Sequence, residues 1–245
     1  MDPIYEIKSF KKEMFTILPK KNQTRLPLIQ LIAKNLEENG ENRFILEIEE
    51  DESKGFWNIT CVAGYKWRLF SDIVGVIALH NVNILSAELC TWSSGSIAEI
   101  LMKTKVFGPD KPDEIWRRIK RDLQNTFTGK LALPYRLHIK LFPPKTGRAS
   151  NLSEASKVFI DNGSSERFTK IQILTNDRVG LLYRIIDALD DLRIVIKTAN
   201  IFTDGNKVED TFFVHDQKGK KVEDRVRIRE IKKALSHQVN LIQGR

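Results

Sequence analysis

Asn176-Asp177-Arg178-Val179-Gly180 is the stretch whose residue types could do chemistry. It is a short polar loop, and Leu181, Leu182, Ile185, Ile186, Leu189 and Leu192 follow it at helical spacing, giving one apolar face. A helix start leaves backbone N–H groups without intrahelical partners, and the aligned peptide dipoles draw carboxylates and phosphates towards it. Asn176 or Asp177 can cap that start, and Gly180 lets the backbone approach a ligand or a neighbouring strand closely. The expected chemistry is binding of a small anion or an amino acid by Asn176, Asp177, Arg178, Val179, Gly180, Leu181 and Leu182. The competing reading is a capped helix with no ligand.

Catalysis and metal binding find no comparable stretch. The histidines, His80, His138, His215 and His237, are scattered, and the adjacent pair His215-Asp216 has no second His at ligand spacing. There is no G-x-S-x-G, P-loop, C-x-x-C or Cys–His pair. We expect no catalytic residue, no metal site and no cofactor.

The elements around the loop repeat. Phe168 to Thr175 alternates like a strand, Ile194 to Phe202 is β-branched and apolar, Asp204-Gly205-Asn206 is a turn signal, and Val208 to Val214 is strand-like again. Moving the frame back by 112 residues sets Ile171 on Ile59, Leu181-Leu182 on Leu69-Phe70, Ile185-Ile186 on Ile73-Val74, Ala199 on Ala87 and Thr203 on Thr91. Two copies of one unit are present. A basic helical run follows each copy, Asp113 to Phe127 and Asp224 to His237, and the order fits a split βαβ, ferredoxin-like unit.

The second copy resembles a known family. Thr175 to Tyr183 is similar to the strand-loop-helix signature of ACT domains, usually D-R-P-G-L-L, and Ala199 to Asp216 continues the match. Asn83 to Ala87 and Thr91-Trp92 resemble the same places in a first ACT domain, and Val158 to Asn162 resembles the segment joining the two C-terminal ACT domains of the bifunctional PII uridylyltransferase/uridylyl-removing enzymes. The resemblance implies an α+β chain: two ferredoxin-like (βαββαβ) ACT domains in tandem behind an N-terminal helix/strand extension. The expected divisions are 1–55 for the extension, 56–133 and 168–245 for the two domains, and 134–167 for a linker.

The first copy departs from the family pattern, because Gly64-Tyr65-Lys66-Trp67-Arg68 stands where the second has the candidate loop. Arg68 replaces the glycine, and bulk there should block close backbone approach. Trp67, Tyr65 and Trp92 either wall a neighbouring pocket or fill a core or interface.

Further segments are less informative. Leu26 to Leu36 reads as a helix ended by Asn39-Gly40, and Phe44 to Glu49 as a strand. Between the repeats, Pro143-Pro144 and Gly147 mark a linker interrupted by two strand-like pieces, Tyr135 to Phe142 and Lys157 to Asp161, either of which could supply the last strand of the first unit. Cys61 and Cys90 fall on strands that are not neighbours in a ferredoxin-like sheet, so two reduced, buried thiols are expected.

The net charge of +8 is diffuse, and its dense runs, Trp116 to Arg121 and Arg225 to Lys233, read as solvated helix faces. No segment approaches the roughly 20 apolar residues of a membrane span, and nothing at Met1 to Glu6 resembles an export signal, so a cytoplasmic chain is expected. A Lys/Arg-Gly-Phe-Gly-Phe-like stacking strand is absent from Ile97–Met102 and Val208–Val214, which argues against RNA. The resemblance implies a non-catalytic regulatory protein of nitrogen metabolism that senses an amino acid, glutamine first, with a protein partner or a second copy of the chain as its audience. The alternatives are a protein-binding module without ligand and a regulatory fragment of a nucleotidyltransferase.

Overall fold

A computed structural model of the chain describes residues 44–51, 55–92, 97–106, 111–141, 156–178 and 180–240. In chain order these form β1 (Phe44–Glu50), β2 (Phe56–Gly64), α1 (Leu69–Leu79), β3 (Val82–Trp92), β4 (Ile97–Val106), α2 (Pro112–Phe127) and α3 (Leu133–Leu141). They continue with β5 (Lys157–Asp161), β6 (Thr169–Asn176), α4 (Leu181–Asp191), β7 (Val195–Asp204), β8 (Lys207–His215) and α5 (Arg225–Asn240). The expected helix at Leu26–Leu36 and the Pro143-Pro144 linker lie outside the described residues.

The fold is α+β, with two ferredoxin-like units sharing one antiparallel eight-stranded sheet in the order β1-β2-β4-β3-β7-β8-β6-β5. The seam between units is short: β3 meets β7 from Ser86 opposite Phe202 to Leu89 opposite Ala199. Alternation decides which way each strand faces. Val208, Phe212 and Val214 of β8 point into a core with Ile73 and Ile77 of α1 and Ile185 and Leu189 of α4, whereas Phe202 and Glu209 are exposed. Each such fully buried Ile or Leu contributes roughly 1.5–3 kcal/mol relative to exposure.

The repeat persists below the level of elements. Register slips by one residue between Ile84 and Ser86 in β3 and between Ile196 and Thr198 in β7, the same place 112 residues on. The residue before each repeat helix is left-handed, Arg68 at φ 67° and Gly180 at φ 77°. So is the residue just past its end, Asn81 at φ 58° and Arg193 at φ 55°.

Neither strand-like piece of the linker completes the first unit. Tyr135 to Leu141 is part of helix α3, because Leu133 and Leu137, one turn apart, both bury against Gly75 of α1, and Pro134 fits a first helical turn. Its alternation of Tyr135, Leu137, Ile139 and Leu141 satisfies a strand pattern equally well, which is why the two readings compete. Lys157–Asp161 is a strand, but it borders β6 of the second unit, since β1 already fills the corresponding place beside β2. Each unit thus takes its edge strand from chain that precedes it.

Cys61 on β2 and Cys90 on β3 are free and buried, with β4 between them. Burial pushes both thiols up to about 12. A chromogenic thiol reagent should therefore label neither in native buffer and both in urea. Rapid native labelling of either would contradict the packing of β2 and β3.

Candidate functional site

The candidate loop runs from the end of β6 into α4. Gly180 is the residue ahead of the helix, in the left-handed conformation and without a side-chain cap, so neither Asn176 nor Asp177 caps it. Asn176 is instead the last residue of β6. The Asp177 carboxylate turns across the junction between units and accepts a hydrogen bond from Asn83 Nδ2 at 3.0 Å. The Leu181 N–H is taken by the Arg178 carbonyl at 3.0 Å, which removes it from any backbone cradle. Val179 lies outside the described residues.

The loop from Asp177 onward borders a cavity of about 100 Å³ between the units, which Asn176 does not line. Asp177, Arg178, Gly180, Leu181 and Leu182 line it from the second unit; Val74, Ala78 and Asn83 line it from the first. Its inner wall includes Asp210 of β8. Asp210 is 1% exposed, and no side chain among the described residues hydrogen-bonds its carboxyl oxygens; the backbone amide of Phe202 is turned towards it. Burial raises its pKa well above the ordinary carboxylate range, Asp177 adds to the rise, and the Phe202 backbone amide pulls the other way.

Gly180 is not open on every side. A Cβ built there would lie 2.6 Å from both terminal methyls of Leu141, at the end of α3. That helix is held in place by Lys140 Nζ, which donates to the carbonyls of Ala78 at 3.0 Å and Leu79 at 2.6 Å at the end of α1. The glycine is therefore needed twice, for its positive φ and for the close approach of Leu141. The hollow beside the start of α4 remains, lined by the loop.

The repeat-related junction is filled. Arg68, in the place of Gly180, sends its guanidinium into ion pairs with Asp187 and, at 3.2 Å, with Asp191. Ser71 donates to Asp190 Oδ2 at 2.6 Å, Lys66 lies 3.5 Å from Asp72, and the Arg193 guanidinium stacks 5.2 Å from the centre of the Trp67 ring. Asp187, Asp190 and Asp191 of α4 correspond in α1 to Gly75, Ala78 and Leu79. At one junction α1 presents only uncharged residues at these places, and at the other two carboxylates receive an arginine and a third a serine hydroxyl.

Asp210, Asn83 and Leu141 take part in the site without standing out in the sequence reading. Asp210 had a readable signal: it interrupts the inward series Val208, Phe212 and Val214 with a charge. Asn83 and Leu141 reach the loop only through tertiary packing.

Two ferredoxin-like units are joined through one sheet, with a cavity at their junction lined by both apolar and polar residues. Residues 164–241 match the family model of the ACR family N-terminal ACT domain. The second unit is thus similar to an ACT domain, and the chain resembles the regulatory region of the bifunctional PII uridylyltransferase/uridylyl-removing enzymes. It is 35% identical over 170 residues to the bifunctional uridylyltransferase/uridylyl-removing enzyme of Rhodospirillum rubrum, covering 68% of this chain and 18% of that protein. To its counterpart in Erythrobacter litoralis it is 31% identical over 191 residues, 78% of this chain and 21% of that protein. The chain thus spans about a fifth of the length of these curated relatives. Among solved structures, aspartate kinase from Synechocystis matches with a TM-score of 0.39 and 15% identity over 78% of this chain and 27% of that one, too loosely to carry an argument. Among the described residues no helix is long and apolar enough to cross a membrane.

Proposed function

We propose that the chain is a non-catalytic sensor that takes one small amino acid in the cavity between its units. The observation that carries this reading is the meeting of Asn83 of one unit with Asp177, Arg178 and Asp210 of the other around a single hollow. A zwitterion presents opposite charges a few ångströms apart. Arg178 and the start of α4 suit its carboxylate, and Asp177 and Asp210 suit its ammonium. Glutamine is the first candidate, on the resemblance to uridylyltransferase regulatory regions. Because the cavity draws its walls from both units, a ligand that binds one arrangement of α1 and α4 more tightly shifts their relative placement, and a protein partner or a second chain reads that shift.

Calorimetric titration of the full chain with each of the twenty common amino acids tests this. One saturable isotherm is expected, and Gly180→Trp should abolish it, since an indole there meets Leu141 and the loop; a melting curve recorded alongside verifies that the variant is folded. Absence of binding for all twenty at millimolar concentration would sink the sensor.

A further inference from the structure

We propose that Asp210 sets the specificity of this cavity by demanding a protonated amine, so that free α-amino acids enter with the ammonium at the buried end and N-acylated analogues are refused. This rests on the amino-acid reading above and deepens it.

The position itself is the first argument. Opposite the seam the two hairpins pair Thr91 with Ala98 and Thr203 with Val208, so the repeat offset falls from 112 to 110 beyond the turn. Asp210 therefore corresponds to Ile100 of β4, which is 0% exposed in the core of the first unit. One copy places an isoleucine at this inward point of the strand, and the other places a carboxylic acid. The copy with the isoleucine belongs to the unit whose own loop is plugged by Arg68; the copy with the acid lines the junction that remains open.

The surroundings are the second argument. A buried carboxyl that meets one backbone amide and no side-chain donor is a costly group to keep without a counterpart. Around the cavity, Asp177 and Arg178 come from the loop before α4, Asn83 from β3, Thr203 from β7 and Asn81 from the turn after α1, while α1 itself offers only Val74 and Ala78. Asp177 is engaged by Asn83. Among these, no side chain supplies Asp210 with a donor. An ammonium, with three N–H donors and a full charge, satisfies both oxygens; a secondary amide brings one donor and no charge.

Proton bookkeeping then separates this role from a structural one. In the free chain burial favours the neutral acid at Asp210, whereas an arriving ammonium favours the carboxylate, so a proton held by the acid passes to the buffer as the ion pair forms. The test uses the full chain, its Asp210→Asn and Asp210→Ile variants, and whichever common amino acid gives an isotherm, glutamine being tried first. Wild type should release protons on binding, seen as a dependence of the heat on the buffer's ionisation enthalpy. Asp210→Asn should release none and bind about 100-fold more weakly. The N-acetyl form of the same amino acid should bind wild type at least about 100-fold more weakly. Asp210→Ile, which installs the residue of the first unit, should fold and should not bind.

Equal affinity of Asp210→Asn, or of the N-acetyl compound, would overturn the inference while leaving the sensor intact. Failure of all twenty amino acids to bind would remove both. The free chain gives an independent check. Because the folded pKa is raised, the acid favours the folded state below its unfolded value and loses that advantage as pH rises. Asp210→Asn should therefore gain stability relative to wild type as pH rises above about 4, the ordinary carboxylate value. A difference flat with pH would overturn the buried-acid premise.

Discussion

A Gly75→Leu chain is expected to lose about 3 kcal/mol of stability, the upper end of what overpacking a core costs. Gly75 is buried on α1 where three helices converge. A Cβ there would stand 2.9 Å from Leu137 Cδ1 and 3.1 Å from Leu133 Cδ2 of α3, and 2.9 Å from Tyr183 Cδ2 of α4. Leucine adds three more carbons to that contact, and the three neighbours belong to two different helices that cannot retreat together. The midpoint in urea should fall with an unchanged slope. Amino-acid binding should weaken as well, because Val74 and Ala78, on either side of this point, line the cavity. Gly75→Ala should show the same signs at about 1 kcal/mol. A Gly75→Leu chain as stable as wild type would mean that α1, α3 and α4 do not pack this closely.

Arg68→Ala should cost about 2 kcal/mol, since removing one partner leaves the others of a partly buried charge cluster uncompensated. Asp187, Asp190 and Asp191 would then face Asp72 without the guanidinium that joins them across the junction. Alanine also inherits the left-handed backbone at φ 67°, which glycine occupies without penalty. Arg68→Gly should therefore be less destabilised than Arg68→Ala by about 1 kcal/mol, the difference isolating backbone from charge. The pH dependence has a definite sign. Burial, with Asp187 and Asp72 behind it, raises Asp190 to about 6, while Ser71 and Arg68 oppose the rise. A raised folded pKa makes ionisation cost stability as pH climbs from about 4 through 6, and without Arg68 that cost grows. Denaturant melts of Arg68→Ala against wild type should diverge more at pH 7.5 than at pH 5; convergence at high pH would refute this account of the junction.

The duplicated architecture was legible because buried apolar positions recur at a fixed offset, and burial is what a sequence pattern records best. The loop before α4 was legible for a similar reason, since polar residues and a glycine between a strand and a helical stripe have few other uses. Helix α3 was not. Four apolar residues two apart fit a strand, and only the seating of Leu133 and Leu137 on Gly75 selects the helix. The home of Lys157–Asp161 depended on which sheet edge was already taken, a fact about β1 and absent from the segment itself. Leu141 over Gly180 and Asn83 on Asp177 are contacts between distant parts of the chain, with no local signature at either end. Asp210 is different, because one acid in an inward-facing series of Val and Phe could have been questioned from the strand alone.

The filling of one junction by Arg68 bears on how such a molecule would respond to concentration. Duplication ordinarily yields a pair of equivalent receptors whose communication can sharpen a dose curve. Here Arg68 fills one of the two junctions, so on the proposed sensor reading a lone polypeptide would bind one ligand with a hyperbolic isotherm. On that reading a single chain would give a graded response, like a gauge, and a threshold would need several chains acting together.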